Sequence, residues 1–160
     1  MVAAKHAHAP AAEGAARDLY TNILRCWNAG DAGAFAQLFS RSGNVVGFDG
    51  SQVDGQDNIE AHLAKIFSSH ATAAYIGKVR EVRVLGQEVV LLRAVAGMVP
   101  PGKSDLNSTL NTIHTLVAGN QGGHWRVELF QSTPAAFHGR PEASERLTAE
   151  LQAELESSRS

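Results

Sequence analysis

Three observations predict an α+β fold in which N-terminal helices pack on a mainly antiparallel sheet. Apolar residues recur at three- and four-residue spacing in the first part of the chain. Strand-like segments fill the stretch from Tyr75 to Thr133. Short turn signals, rather than helical crossovers, separate those segments. The expected order is ααβαββββ with one further helix at the C-terminus.

Each element has a local reason. From about Ala15 the residues Leu19, Tyr20, Ile23, Leu24 and Trp27 form one helical stripe, ended by Asn28-Ala29-Gly30 with Gly30 free to take the left-handed conformation of a C-cap. Asp31 can cap the next helix through its carboxylate, and that short helix buries Phe35, Leu38 and Phe39. Asn44 to Phe48 reads as a short strand, with Asp49-Gly50 as a tight turn. Asp54 and Asp57 bracket the start of a third helix with a stripe of Ile59, Leu63, Ile66 and Phe67; His62 lies on it and His70 ends it. Tyr75–Leu85 and Glu88–Val99 form a hairpin across Gly86-Gln87, and Thr109–Ala118 pairs with His124–Thr133 around Asn120 to Gly123. Pro134 stops the last strand, and Pro141 opens a final helix with a seam of Leu147, Leu151 and Leu155. Residues 1–12 read as a disordered lead-in, 13–138 as the domain and 139–160 as the C-terminal helix and tail.

Composition narrows the classes. A chain of 160 residues, 44% hydrophobic, is enough for one core, and the single cysteine, Cys26, excludes an intramolecular disulfide framework or a multi-cysteine metal site. A net charge of −2 gives no electrostatic case for nucleic acid or anionic membrane. There is no apolar run long enough to span a bilayer and no signal-peptide pattern, so a cytoplasmic location is expected. No dinucleotide fingerprint, phosphate loop or zinc signature occurs, so no cofactor and no metal is expected; His6 and His8 on the lead-in are too few for a specific site.

Strand parity suggests what faces a ligand. Symmetric pairing of the last hairpin puts Asn111 opposite Gln131 and Thr115 opposite Val127. The face with Asn111, Ile113, Thr115, Val117, Val127, Leu129 and Gln131 is mostly apolar and is expected under the helices, with its polar members forming one end of a pocket. The opposite face, with His114, Leu116, Arg126, Glu128 and Phe130, then suits packing on a second copy; His114, Glu128 and Arg126 read as a polar network of that dimer face. Arg80 and Arg93 fall opposite each other and need acidic partners or an anion, while Tyr75 and Met98 fall opposite each other as core or pocket wall.

The Trp27-Asn-Ala-Gly-Asp31 junction, the Gly55-Gln-Asp-Asn-Ile59 helix start and the strands that follow resemble the nuclear transport factor 2-like superfamily, over roughly Ala15 to Phe137. Val46-Gly-Phe-Asp49-Gly50, Arg93 to Pro100 and Leu129-Phe-Gln131-Ser-Thr133-Pro134 resemble more narrowly its SgcJ/EcaC subgroup, whose members serve enediyne polyketide biosynthesis in actinomycetes. The resemblance implies a cone-shaped domain, homodimerisation, an apolar polyketide or polyene as the bound small molecule, and contact with polyketide synthase machinery. In the ketosteroid isomerase branch a carboxylate base stands on the first strand and a carboxylic acid on a later one; here the matching positions are Val46 to Phe48 and Thr115, and neither holds a carboxylate.

The candidate residues follow. Asp49 or His70 is the available base if the chain is a cyclase or isomerase; the plainer readings are a turn aspartate and a helix-end histidine. Tyr20, Trp27, Phe48, Tyr75, Met98, Asn111, Thr115 and Gln131 are the expected ligand contacts, with packing as the alternative for each aromatic. Without a carboxylate pair, a binding or accessory protein is the leading expectation, a cofactor-independent enzyme the alternative, and an adaptor for the synthase machinery a third reading.

Overall fold

The computed structural model describes residues 2–160, with side chains described from Pro10 onward. Helix α1 runs Val2–Ala29, α2 Ala32–Gln37, β1 Phe39–Val46, β2 Gln52–Asp54, α3 Gln56–Ser69, β3 Ala74–Gly86, β4 Val89–Val99, β5 Thr112–Gln121, β6 His124–Pro134 and α4 Pro141–Ser158. Of the expected disordered lead-in, the side chains of residues 1–9, including His6 and His8, lie outside the described residues. Pro10, Ala11 and Ala12 belong to α1, and Ala12 is buried, so the ordered helix begins before Ala15.

The helix junctions follow the local chemistry. Gly30 takes φ +66°, and the Asp31 carboxylate accepts the Ala34 N–H at 3.0 Å to cap α2. Phe39, expected on α2, instead opens β1 with no exposure, stacked on Phe35. Asp54 does not cap α3: Gly55 holds the N-cap position at φ +92°, while Asp54 receives Asn44 Nδ2 across the β1–β2 hairpin.

The six strands form one curled sheet in the order β2-β1-β6-β5-β4-β3, with β1 and β6 parallel and every other pair antiparallel. Helices α1 to α3 cover the concave face, joining Leu19, Ile23, Phe35, Ile59 and Leu63 to Val90, Leu92, Ala94, Leu116, Val127 and Phe130 in one core. Helix α4 covers part of the convex face through Leu147 and Leu151 on Val95, with Ile113 beside them. Gly77 marks the closest approach of helix to sheet: a Cβ there would stand 2.5 Å from the Tyr20 hydroxyl and 2.7 Å from Leu24.

The faces of β5, and of β6 beyond Glu128, are the reverse of those expected, whereas Val127 lies under the helices as expected. Gly122 and Gly123 both have positive φ and make a two-residue turn, so Gln121 meets His124 and Asn120 meets Trp125. Further along, Glu128 is an extra residue between the pairs Ala118–Val127 and Val117–Leu129. Past this bulge Thr115 pairs with Gln131 and His114 with Ser132. Thr112, His114, Leu116, Phe130 and Ser132 are therefore buried, while Thr115, Val117, Leu129 and Gln131 lie on the convex side. Phe130, expected on a dimer face, is 4% exposed inside the core. Beyond the bulge the pairing is shifted by four residues, which keeps Thr115 and Gln131 on one face; the single extra residue Glu128 is what transfers Val127 to the face of His114 and Phe130.

In the β3–β4 hairpin Tyr75 does pair with Met98. Arg80 and Arg93 are not opposite each other, because Arg80 bulges out and Glu81 takes the place across from Arg93. Both guanidiniums have acidic partners: Arg93 Nε donates to Glu81 at 3.0 Å, and Arg80 binds Glu150 of α4 together with Lys78.

Candidate functional site

An apolar cavity of about 160 Å³ lies between the helices and the concave face. Helix α1 contributes Ile23 and Trp27, α2 contributes Phe35, and α3 contributes Leu63. The strands and the β1–β2 turn supply Val45, Gly47, Phe48, Tyr75, Met98, Phe130 and Ser132. The wall is held in place by polar contacts at its edge. The Trp27 indole N–H donates to the Ala73 carbonyl at 2.9 Å, and its ring meets Phe67 and Tyr75 edge-on or tilted. The Asn28 side-chain amide accepts the Tyr75 N–H at 2.7 Å and donates to the Tyr75 carbonyl at 3.0 Å.

Against this wall stands a buried polar pair. The Tyr20 hydroxyl and His114 Nδ1 are 2.8 Å apart. The imidazole has no solvent exposure, and its ring centre lies 4.7 Å from Phe130 and 5.1 Å from Tyr75, both cavity-lining rings. Its cross-strand neighbour Ser132 borders the cavity too. His114 Nε2 is buried without a hydrogen-bond partner among the described residues.

Solved structures sharing this architecture were found. A domain of unknown function with a cystatin-like fold from Nostoc punctiforme PCC 73102 superposes with a TM-score of 0.75, at 21% identity over 91% of this chain and 96% of that one. An NTF2-like protein of unknown function from Pseudomonas putida KT2440 has a TM-score of 0.65, at 15% identity over 82% and 92% of the two chains. The fold is nuclear transport factor 2-like. A hexachlorocyclohexane dehydrochlorinase, LinA type 2, shares it with a TM-score of 0.66 and 12% identity, over 78% of this chain and 86% of that one. No protein-family model matches the sequence, and no curated protein matches it.

On this nuclear transport factor 2-like frame the expected site residues separate. Trp27, Phe48, Tyr75 and Met98 line the cavity together. Tyr20 does not line it; its hydroxyl bonds to His114 behind the cavity wall. Asn111 is 1% exposed but serves α4, donating from Nδ2 to Thr148 Oγ1 at 2.8 Å. Thr115 and Gln131 are placed away from the cavity by the inverted parity. Asp49 and His70 are exposed. The Asp49 carboxylate accepts the Ser51 N–H at 2.9 Å, and that hydrogen bond holds its pKa below the usual value, as suits a turn residue. His114, expected in a convex-face network, is inside; Glu128 instead accepts from Ser40 and Arg126 donates to the Gln37 carbonyl.

His114 and Ser132 are the functional candidates that strand counting missed. Gly122-Gly123 suits a two-residue turn, but His114 meets Ser132 only past the bulge at Glu128, and nothing local to β5 says which of its faces the helices cover. Burial decides the chemistry of the pair. It pushes the His114 pKa down to about 3, so the imidazole is neutral at pH 7. It pushes the Tyr20 phenol upward, with the nearby Tyr75 adding to the rise, so Tyr20 keeps its proton. Tyr75 is raised by burial as well, against a hydrogen bond with Ser132 that lowers it. The cavity thus offers the Tyr75 and Ser132 hydroxyls in an apolar lining that, among the described residues, holds no carboxylate, and the neutral His114–Tyr20 pair is buried behind that lining.

Proposed function

We propose that the chain is an accessory protein of enediyne polyketide biosynthesis that holds a largely apolar, polyketide-derived intermediate in the cavity between sheet and helices. The observation that carries the binding reading is the cavity itself, walled by aromatic and aliphatic side chains with a few neutral polar groups at one side. The pathway assignment is supported by the motif resemblance at Val46–Gly50, Arg93–Pro100 and Leu129–Pro134. An engineered cavity of about 150 Å³ accepts benzene; a space of about 160 Å³ therefore takes one ring or a short polyene segment. Homodimerisation, contact with polyketide synthase machinery and a cytoplasmic location belong to the same proposal. Among the described residues, no helix is long and apolar enough to cross a membrane.

Trp27 reports on occupancy because it lines the cavity. Titration with a defined linear polyene is expected to quench its fluorescence saturably, shift the polyene absorbance and raise the melting temperature. Absence of all three responses in the wild-type protein refutes the binding reading.

A cofactor-independent cyclase or isomerase is the second reading, favoured by the buried Tyr20–His114 pair beside the cavity. Asp49 and His70 are exposed and outside the lining of the cavity, which counts against either as its base. His114, with its pKa near 3, is a weak proton acceptor. That mismatch favours binding over proton abstraction. Turnover of a polyene precursor that disappears in His114→Leu would reverse the preference.

A further inference from the structure

Three side chains in the cavity lining carry a polar hydrogen: Trp27, Tyr75 and Ser132. The Trp27 N–H is spent on the Ala73 carbonyl. Gly47, the lining residue at the β1–β2 turn, has both backbone groups in use, its N–H on the Ser51 carbonyl and its carbonyl on the Gly50 N–H. The two hydroxyls remain, and both residues are neighbours of one ring. Ser132 is the cross-strand partner of His114, whose ring centre is 5.1 Å from that of Tyr75.

Burial keeps the phenol protonated at pH 7, so the two hydroxyls carry two protons. A hydrogen bond from one hydroxyl to the other uses only one of them. The nearby imidazole takes neither: its Nδ1 is bonded to Tyr20, and its Nε2 has no partner among the described residues. One O–H is left over, and the cavity is the space that both residues line. A donor without an acceptor in apolar surroundings is costly. The lining also holds no charged side chain, so a charge brought there from water would have no counter-ion. We infer that the hydroxyl pair of Tyr75 and Ser132 donates its unspent proton to an oxygen of the molecule held in the cavity, which therefore selects a neutral, largely apolar ketone, enone or ester over both a hydrocarbon and a free acid. The inference rests on the cavity being the ligand site and names the chemistry that this site selects.

Three probes of one shape test it. Acetophenone, α-methylstyrene and benzoate each have a single ring and carry C=O, C=CH2 or a carboxylate at the same place. Their dissociation constants are measured by calorimetry at pH 7 in wild type, Tyr75→Phe, Ser132→Ala and the double variant. Acetophenone is expected to bind wild type about tenfold more tightly than α-methylstyrene, and at least about tenfold more tightly than benzoate. Each single variant keeps one hydroxyl able to donate and loses part of the ketone preference. The double variant loses it altogether, with alkene affinity within about twofold of wild type. The infrared carbonyl band of bound acetophenone reads the hydrogen bond directly: it is expected below its hexane position in wild type and back at that position in the double variant.

No ketone preference in wild type, a preference that the double variant keeps, or benzoate binding as tightly as acetophenone overturns the inference and leaves the cavity as a binding site. Failure of acetophenone and α-methylstyrene alike to bind wild type overturns the cavity reading and the inference together. If the double variant does not fold, the wild-type carbonyl band decides the matter, and a band at its hexane position overturns the inference.

Discussion

Leu91 and Leu92 are neighbours on β4 and face opposite ways. Leu92 points into the concave side, has no exposure and belongs to the main core. Leu91 lies on the convex side and is half-buried. The contrast extends to the polar residues of the two faces. Inside, Tyr20 and His114 are neutral and enclosed. Outside, Lys78, Arg80 and Glu150 are charged, partly solvated and paired with one another. The strand alternation that builds a packed chamber on one side leaves a solvated face on the other, and the same type of residue has different consequences on each.

The largest expected effect tests that contrast directly. Leu92→Ala should lose roughly 2–5 kcal/mol of unfolding free energy, because it opens a void in a closed core. Leu91→Ala should lose about 1 kcal/mol or less, since water already reaches the site. Urea unfolding of both variants checks this, and equal losses would erase the distinction between the faces.

Acidity gives a smaller, directional effect. The His114 pKa falls from 6.5 to about 3 on folding, so the unfolded chain binds a proton that the folded one refuses. Its stabilising contribution is complete above pH 6.5 and is lost as the pH drops toward 3, at about 1.4 kcal/mol per pH unit. Wild type is therefore expected to lose about 2 kcal/mol from His114 between pH 7 and pH 5, and His114→Leu to lack that component. Glu150 does not confuse the measurement. Its partners Arg80 and Lys78 lower its carboxyl from 4.5 to about 2, so its contribution changes only at more acid pH.

The smallest effect belongs to the convex face. Glu150→Gln removes the shared partner of Lys78 and Arg80, yet these groups are open to solvent. The loss should stay below about 1 kcal/mol and shrink in high salt. A larger, salt-independent loss would mean that α4 depends on this ion pair rather than on Leu147 and Leu151.

Much of the frame was legible in the sequence, because caps, stripes and turns are local. Asp31, Gly30, Pro141 and the seam of α4 behave as their residue types require. Part of the cavity wall was legible as well: Trp27, Phe48, Tyr75 and Met98 meet there. Long-range pairing was harder to read. Strand β2 and the parallel contact of β1 with β6 have no local signature. The bulge at Glu128 moves Trp125 and Val127 onto the face of His114 and Phe130, and it is this face that the helices cover; assigning the other face to the helices hid His114 and placed Thr115 and Gln131 in the wrong layer. In the β3–β4 hairpin two irregularities offset a displaced turn, so Tyr75 still met Met98 although Arg80 did not meet Arg93. Register is a sum over such single-residue events, and composition does not record them.

The contact of Asn28 with Tyr75 bears on how copies of the protein behave in a crowded solution. Strand β3 is 13 residues long and forms an edge of the sheet, the kind of surface on which another chain can add a strand. Asn28 satisfies both backbone groups of Tyr75 as a neighbouring strand would. The irregularity at Arg80 interrupts the straight run beyond it, and Lys78, Arg80 and Arg83 place charge along the same strand. A single side-chain amide that braces the cavity wall thus also blunts an edge open to aggregation.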